Sequence, residues 1–287
     1  MRSSEPPDSP EARGRSGRST RNSGRSTNPS GIRSGGGLRA WVASLWTRVG
    51  QRFGRLLRRV LVAFVVLSLL EVGWVRFLPP LTTLTMLERQ REAWQAGKPM
   101  GLEREWVGLE EVSPYMVQAL LAGEDARFFQ HFGFELGAIR DAWVYNSRDQ
   151  NQRKGRVRGA STLSQQTARN LFVWQHRSWL RKGLETYYTV LIELLLPKER
   201  ILTLYLNVAE WGDQIFGVEA AAQHYFHKHA KDLSRVEAAA LSASLPNPRK
   251  YPPTGSTKFQ RHRQELILSR MSRIKPEDYM RVDVEED

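Results

Sequence analysis

The chain has 287 residues, a formal net charge of +13 and no cysteine. That length allows one large domain or two small ones, and the lack of cysteine excludes disulfide bridges, thiolate metal sites and a cysteine nucleophile. The charge is lopsided: residues 1–59 hold 13 arginines, no lysine and three acids, so the high pI belongs to a head rather than to the protein body.

Residues 1–37 are mostly Ser, Arg, Gly, Pro and Asn. Such a segment buries too little apolar surface to offset its ordering entropy, which predicts a disordered basic head. A basic head suits nucleic acid or an anionic membrane surface, and the next two segments favour the membrane. Over 38–59, Trp41, Val42, Leu45, Trp46, Val49, Phe53 and Leu56 recur at spacings of three and four, with arginines on the other face. That is the pattern of a basic amphipathic helix lying on a bilayer. Residues 60–78 are then apolar apart from Ser68, Glu71, Gly73 and Arg76, close to the roughly 20 residues that a bilayer core requires. Trp74, Glu71 and Arg76 sit where they can reach an interface. The arginines at 48, 52, 55, 58 and 59 predict an N-terminus in the cytoplasm and a chain beyond about 79 on the outside, as a single-pass protein. A buried core helix is the alternative for this run. A cleavable signal peptide fits less well, because the basic stretch is long and no small-residue cleavage site comes after it.

Residues 79–105 read as a linker and membrane-proximal segment, and 106–275 as an almost all-α body with no internal repeat, followed by an acidic tail at 276–287. Ser113–Pro114 is an N-cap and N1 pair, so a helix is expected from there through "YMVQALLAGEDARFF". Residues 144–158 are polar and breaker-rich and predict a mobile loop. Ser161 or Thr162 can cap a helix carrying "LSQQTARNLF"; "WLRKGLETYYTVLIELLL" predicts a long apolar helix stopped by Pro197; "KERILTLYLNVAEW", "VEAAAQHYF" and "RVEAAALSASL" complete the set. Trp174 and Trp179 are assigned to the core, and Trp41, Trp46 and Trp74 to the membrane interface.

Three pieces carry chemistry: Glu124–Asp125 with Phe128, His131 and Gly133; the stretch Gly159 to Asn170; and Arg177, Arg181 and Glu185, spaced four apart on one helical face. A carboxylate at a helix end can act as a base, and the amides of Gln165 and Gln166 can bind sugar hydroxyls. Arg169 and Arg177 offer planar cations suited to phosphate. Together they fit transfer from a phosphorylated sugar, although each alone also fits a solvated face or simple helix support. His131 reads as a structural histidine at the turn before Gly133. The spacing of His224, His227 and His229 fits no standard metal site.

The motifs "EDARFFQHFG", "GASTLSQQTARN", "RKGLE" and "KERILTLYLN" resemble, in order and spacing, those of the peptidoglycan glycosyltransferases (glycosyltransferase family 51), from about Trp106 to Tyr251. Only 36 residues come after Tyr251, too few for a second catalytic domain, so a monofunctional member is expected. The resemblance implies a mainly α fold: a lysozyme-like helical lobe with a small membrane-proximal jaw, preceded by one transmembrane helix. It implies lipid II and the growing glycan strand as substrates, Glu124 as general base and undecaprenyl diphosphate as leaving group, with inversion at the anomeric carbon. Arg169 and Arg177 would neutralise the pyrophosphate, with a divalent cation (Mg2+ or Mn2+) as a candidate helper. Glu185 would position that cation or the basic side chains. Asp125 would orient its neighbours, and Ser161, Thr162, Gln165, Gln166, Asn170 and Arg181 would complete the substrate site. Family members often carry Lys where Arg169 stands and Glu where Thr203 stands, so Thr203 is given no role. Proteins of cell-wall synthesis or division are the expected partners, and nucleic acid is not. A lysozyme-like lytic enzyme and a non-enzymatic membrane scaffold are the rival readings.

Overall fold

The computed structural model describes residues 36–148, 159–255 and 257–275. The predicted disordered head, the acidic tail and most of the basic 144–158 loop lie outside them. The chain divides into two units, residues 1–58 and 59–287. The architecture is mainly α, as the sequence predicts.

Helix α1 runs Gly36–Phe77 and takes in both the amphipathic and the apolar segments. Its stretch Val49–Phe77 is long and apolar enough to cross a membrane. Glu71 is not simply held out toward an interface: its Oε2 accepts a 2.7 Å hydrogen bond from Tyr188 Oη. Ser68 Oγ lies 2.6 Å from Tyr187 Oη, and Val72 and Val75 are buried within the main hydrophobic core. Arg200 donates to the carbonyls of Val75 and Leu78 at 2.8 and 2.9 Å, which satisfies acceptors orphaned at the helix C-terminus. One face of residues 68–78, with Ser68, Val72 and Val75, thus packs against the body.

The segment expected to be a linker contains helix α2, Leu84–Gln95, capped by Thr83 Oγ1 accepting from the Met86 amide. It also contains β1, Glu103–Arg104. β1 pairs in parallel with β3, Ile215–Phe216, which pairs antiparallel with β2, Glu210–Gly212. This small sheet is too short to leave an alternating pattern in the sequence.

Helix α3, Pro114–Glu124, starts at the predicted Ser113–Pro114 cap but stops short of the expected end at Phe128–Phe129. Asp125 leaves helical geometry at φ −159°, because its carboxylate is claimed by His131 and the Leu163 amide. Helix α4 is Leu136–Asn146, α5 is Leu163–Phe172, α6 is Trp179–Leu195 and α7 is Lys198–Val208. Pro197 separates α6 from α7 as predicted. Helices α8, Val218–Phe226, α9, Arg235–Ser244, and α10, Lys258–Met271, complete the chain order.

α5 packs against α6 and α7, and α3 packs against α9 and α10. Gly123 lets the last pair of contacts form: a Cβ there would stand 2.5 Å from Ser242 Oγ and 3.2 Å from Ile267 Cδ1. Met116, Leu120, Leu163, Ile192, Leu202 and Trp211 are fully buried in the core. Trp174 is half-buried against this core, but Trp179, assigned to the core from sequence, is 93% exposed at the start of α6.

Candidate active site

The end of α3 brings Glu124 to the centre of a polar chain. Gln166 Nε2, on α5, donates to Glu124 Oε2 at 2.9 Å. Arg263 Nη2, on α10, donates to Oε1 at 2.6 Å. Tyr205 Oη, on α7, donates to Gln166 Oε1 at 3.1 Å, which fixes the amide with its NH2 toward the carboxylate. Four helices therefore contribute one group each to the same place. The Glu124 side chain is only 14% exposed. Burial raises its pKa above the ordinary carboxylate value, opposed by the Arg263 charge, the Gln166 bond and the Arg169 charge. Burial also holds Tyr205 well above the usual phenol range, so it stays a protonated donor.

Asp125, the neighbour, points elsewhere. His131 Nε2 lies 3.0 Å from both its oxygens, and the Leu163 amide donates to Oδ2 at 3.0 Å. That amide belongs to the first turn of α5, where a negative charge is favourable. Asp125 thus ties the first motif to the second. The turn between them requires Gly133, at φ +73°, where a Cβ would lie 2.9 Å from Thr189 Cγ2. Thr162 Oγ1 donates to the Gly133 carbonyl at 2.6 Å and accepts from the Gln165 amide at 3.2 Å. The Thr162 amide in turn donates to Gln165 Oε1 at 3.1 Å. This is a capping box, so Gln165 is committed to closing α5 and does not face the clefts that flank Glu124.

Among the described residues, two clefts lie beside the Glu124–Gln166 pair. One, of about 410 Å3, is lined by Glu124, Asp125, Arg127, Ser161, Thr162 and Arg270, among others. The other, of about 300 Å3, is lined by Gln166, Arg169, Asn170, Tyr205, Arg89 and Arg249, among others. The Glu124–Gln166 bond joins a residue of each. In the second cleft, Arg89 is paired with Glu210 and Arg249 with Glu92 and Asp213. Arg169 Nε is buried and has no hydrogen-bond partner among the described residues.

Glu185 stands apart from this chain of contacts. It is 1% exposed, and Arg181 Nη1 and Lys182 Nζ donate to its two oxygens at 2.7 and 2.5 Å. A carboxylate with cations on both oxygens is a poor metal ligand. No group of three His, Asp or Glu side chains among the described residues is arranged to hold a metal ion. Arg177 is exposed just before α6. Two residues of the site, Arg263 and Tyr205, carry no assignment from sequence. Tyr205 lies within the "KERILTLYLN" motif, whereas Arg263 lies 139 positions from its partner and only the fold makes it visible.

The transglycosylase family model matches residues 92–272. The chain is 47% identical over 217 residues to the biosynthetic peptidoglycan transglycosylase of Pseudomonas fluorescens (strain SBW25), covering 76% of this chain and 88% of the relative. It is 47% identical over 230 residues to the protein of the same name from Klebsiella oxytoca, covering 80% and 93%. It is 46% identical over 218 residues to that of Yersinia pseudotuberculosis serotype O:1b (strain IP 31758), covering 76% and 89%. These names describe synthesis, which does not favour the lytic alternative. With its family match and relatives of this closeness, the chain belongs to the transglycosylase family.

Proposed function

We propose that the protein is a peptidoglycan glycosyltransferase that polymerises lipid II into linear glycan strands. The observation that carries this reading is a buried carboxylate, Glu124, set between two polar clefts, one of them rich in arginine. Two clefts suit two sugars, and a cationic one suits a pyrophosphate.

In this reading Glu124 takes the proton from the 4-hydroxyl of the acceptor sugar. The freed oxygen attacks the anomeric carbon of the donor from the face opposite the leaving group, so the configuration inverts. The bond from that carbon to the phosphate oxygen breaks, and undecaprenyl diphosphate leaves with the electron pair. Arg169, which lines the arginine-rich cleft, neutralises the developing charge, and Arg177, exposed two residues after the cleft-lining Gln175, assists. Gln166 and Arg263 hold the Glu124 carboxylate in place before the hydroxyl arrives. Glu185 keeps Arg181 and Lys182 in position. A divalent cation does not fit at Glu185, and no step runs through one. We assign it at most to the substrate pyrophosphate, which an EDTA titration of the assay checks.

The N-terminus is proposed to lie in the cytoplasm and the catalytic domain on the outer face of the inner membrane. Incubating purified full-length protein with lipid II tests the reading as a whole. Glycan polymer with release of undecaprenyl diphosphate is expected, whereas cleavage of preformed glycan without polymer would refute it.

A further inference from the structure

Tyr205 stands where the two polar clefts meet. It is 2% exposed, yet it lines the arginine-rich cleft beside Gln166 and Arg169. Its hydroxyl donates to Gln166 Oε1 at 3.1 Å, and Gln166 Nε2 donates to Glu124 Oε2 at 2.9 Å. A single amide therefore separates a hydroxyl of the cationic cleft from the carboxylate of the other cleft. A phenol has one proton to give and two lone pairs with which to accept, and an amide can present either of its ends.

The observed arrangement suits an ionised Glu124. The carboxylate takes the amide NH2, which leaves Oε1 to take the phenol proton. Once Glu124 carries a proton, its own O–H needs an acceptor. Turning the Gln166 amide over supplies one: Oε1 then accepts from Glu124, and Nε2 donates to Tyr205 Oη. In that state the amide no longer takes the Tyr205 proton, which is left to be donated into the arginine-rich cleft. The turn keeps the shape of the side chain and breaks no covalent bond.

From this chain of contacts we infer that Tyr205 is a binding group for the donor's diphosphate, and that the Gln166 amide ties its availability to the proton on Glu124. The inference rests on the function proposed above. Coupling between two sites is reciprocal. A diphosphate that takes the Tyr205 proton favours the turned amide, and so makes Glu124 hold a proton more strongly. The base thus gains strength when a donor fills the cleft, and the diphosphate is held until the captured proton has left. Charge acts in the same direction, because a phosphate beside Arg169 offsets a cation that lowers the Glu124 pKa. The other charges about Glu124 are Arg263 on α10, and Arg127, Glu135, Asp141 and Arg270 around its own cleft. None of these lines the arginine-rich cleft.

The test is the binding of dimethyl diphosphate, with one methyl ester on each phosphate, to full-length protein in detergent micelles. The charges of this probe stay fixed through the acid limb of the pH profile, so a change in Kd belongs to the protein. Calorimetry on either side of that limb should give a wild-type Kd about fivefold lower on the acid side, the low end of coupling between sites. Glu124→Gln should abolish the dependence. Tyr205→Phe and Gln166→Met preserve size and should each remove most of it, with thermal unfolding checking the fold; if Tyr205→Phe does not fold, Gln166→Met decides. A wild-type Kd equal on both sides, no binding on either side, a dependence that persists in Glu124→Gln, or full dependence in either folded relay variant overturns the inference. Lipid II polymerisation by the wild type is measured in parallel. Polymer without pH-dependent binding removes the coupling and leaves the proposed function standing, whereas absence of polymer removes that function itself.

Discussion

Replacing Glu124 by Gln isolates the proton transfer from the architecture. Gln has the same shape and can still accept from Gln166 or Arg263, but it cannot take a proton at neutral pH. Loss of a positioned general base costs about 10²–10⁴ in rate, equivalent to about 3–5 kcal/mol of barrier. The folding cost is smaller. Glu124 and Arg263 are 14% and 26% exposed, so their ion pair is partly screened, and its loss is worth about 1–2 kcal/mol. For a domain of this size that lowers Tm by about 2–8 °C. The assay is lipid II polymerisation across pH, with thermal unfolding in parallel. A base works only when deprotonated, so wild-type kcat/KM should rise with pH through the Glu124 pKa. Burial places that limb above the ordinary carboxylate range. The variant should lose both the rate and the limb. Activity within tenfold of wild type in a folded variant, or an unchanged acid limb, would refute the role of Glu124 as base.

Four further variants can be checked. Arg263→Gln removes a positive charge that lowers the Glu124 pKa, so the acid limb should move to higher pH while activity at alkaline pH is largely kept; a limb that stays put or moves down contradicts the pairing. Gly133→Ala must hold a left-handed residue with its Cβ 2.9 Å from Thr189, at a cost of about 2–4 kcal/mol and a Tm lowered by about 5–15 °C, readable by calorimetry. Arg177→Ala should raise KM for lipid II about tenfold with Tm unchanged, since Arg177 is exposed. Arg181→Ala should instead lower stability by about 3 kcal/mol, because it strips one partner from the buried Glu185. Equal Tm values for the two variants would contradict this division.

Sequence signals are legible where the physics is local. The Ser113–Pro114 start, the Thr162 cap and the Pro197 break each depend on a few adjacent residues, and each stands where expected. The end of α3 is different, because Phe128 and Phe129 continue an apolar periodicity past the true stop. The residue that breaks the helix, Asp125, does so for partners six and 38 positions away. Helix α2 hides inside an expected linker although Thr83 offers a cap; its many charges obscure a short apolar face. At the site, Glu124, Gln166 and Arg169 are legible because they sit in recognisable motifs. Gln165 looks like a sugar ligand, and only the capping box shows its amide to be engaged. Arg263 has no local signature at all, since its meaning comes from Gly123 allowing α3 and α10 to approach. Glu71 illustrates the same limit in the anchor: a charge in an apolar run reads as an interface marker until Tyr188 is seen beside it.

The order of the first two acids has a consequence of its own. Glu124 and Asp125 differ by one methylene and one position, yet their carboxylates face opposite tasks. Asp125 is short enough to meet the first amide of α5 directly, and that contact sets how far Gln166, three residues into the same helix, stands from Glu124. Exchanging the two acids would keep charge, composition and hydropathy untouched. It would also lengthen the brace and shorten the reach toward Gln166, so that gap would be wrong at both ends. The distance between two motifs far apart in sequence is therefore gauged by the length of a single side chain. Mutational tolerance at position 125 should be judged by ångströms of reach as well as by sign of charge.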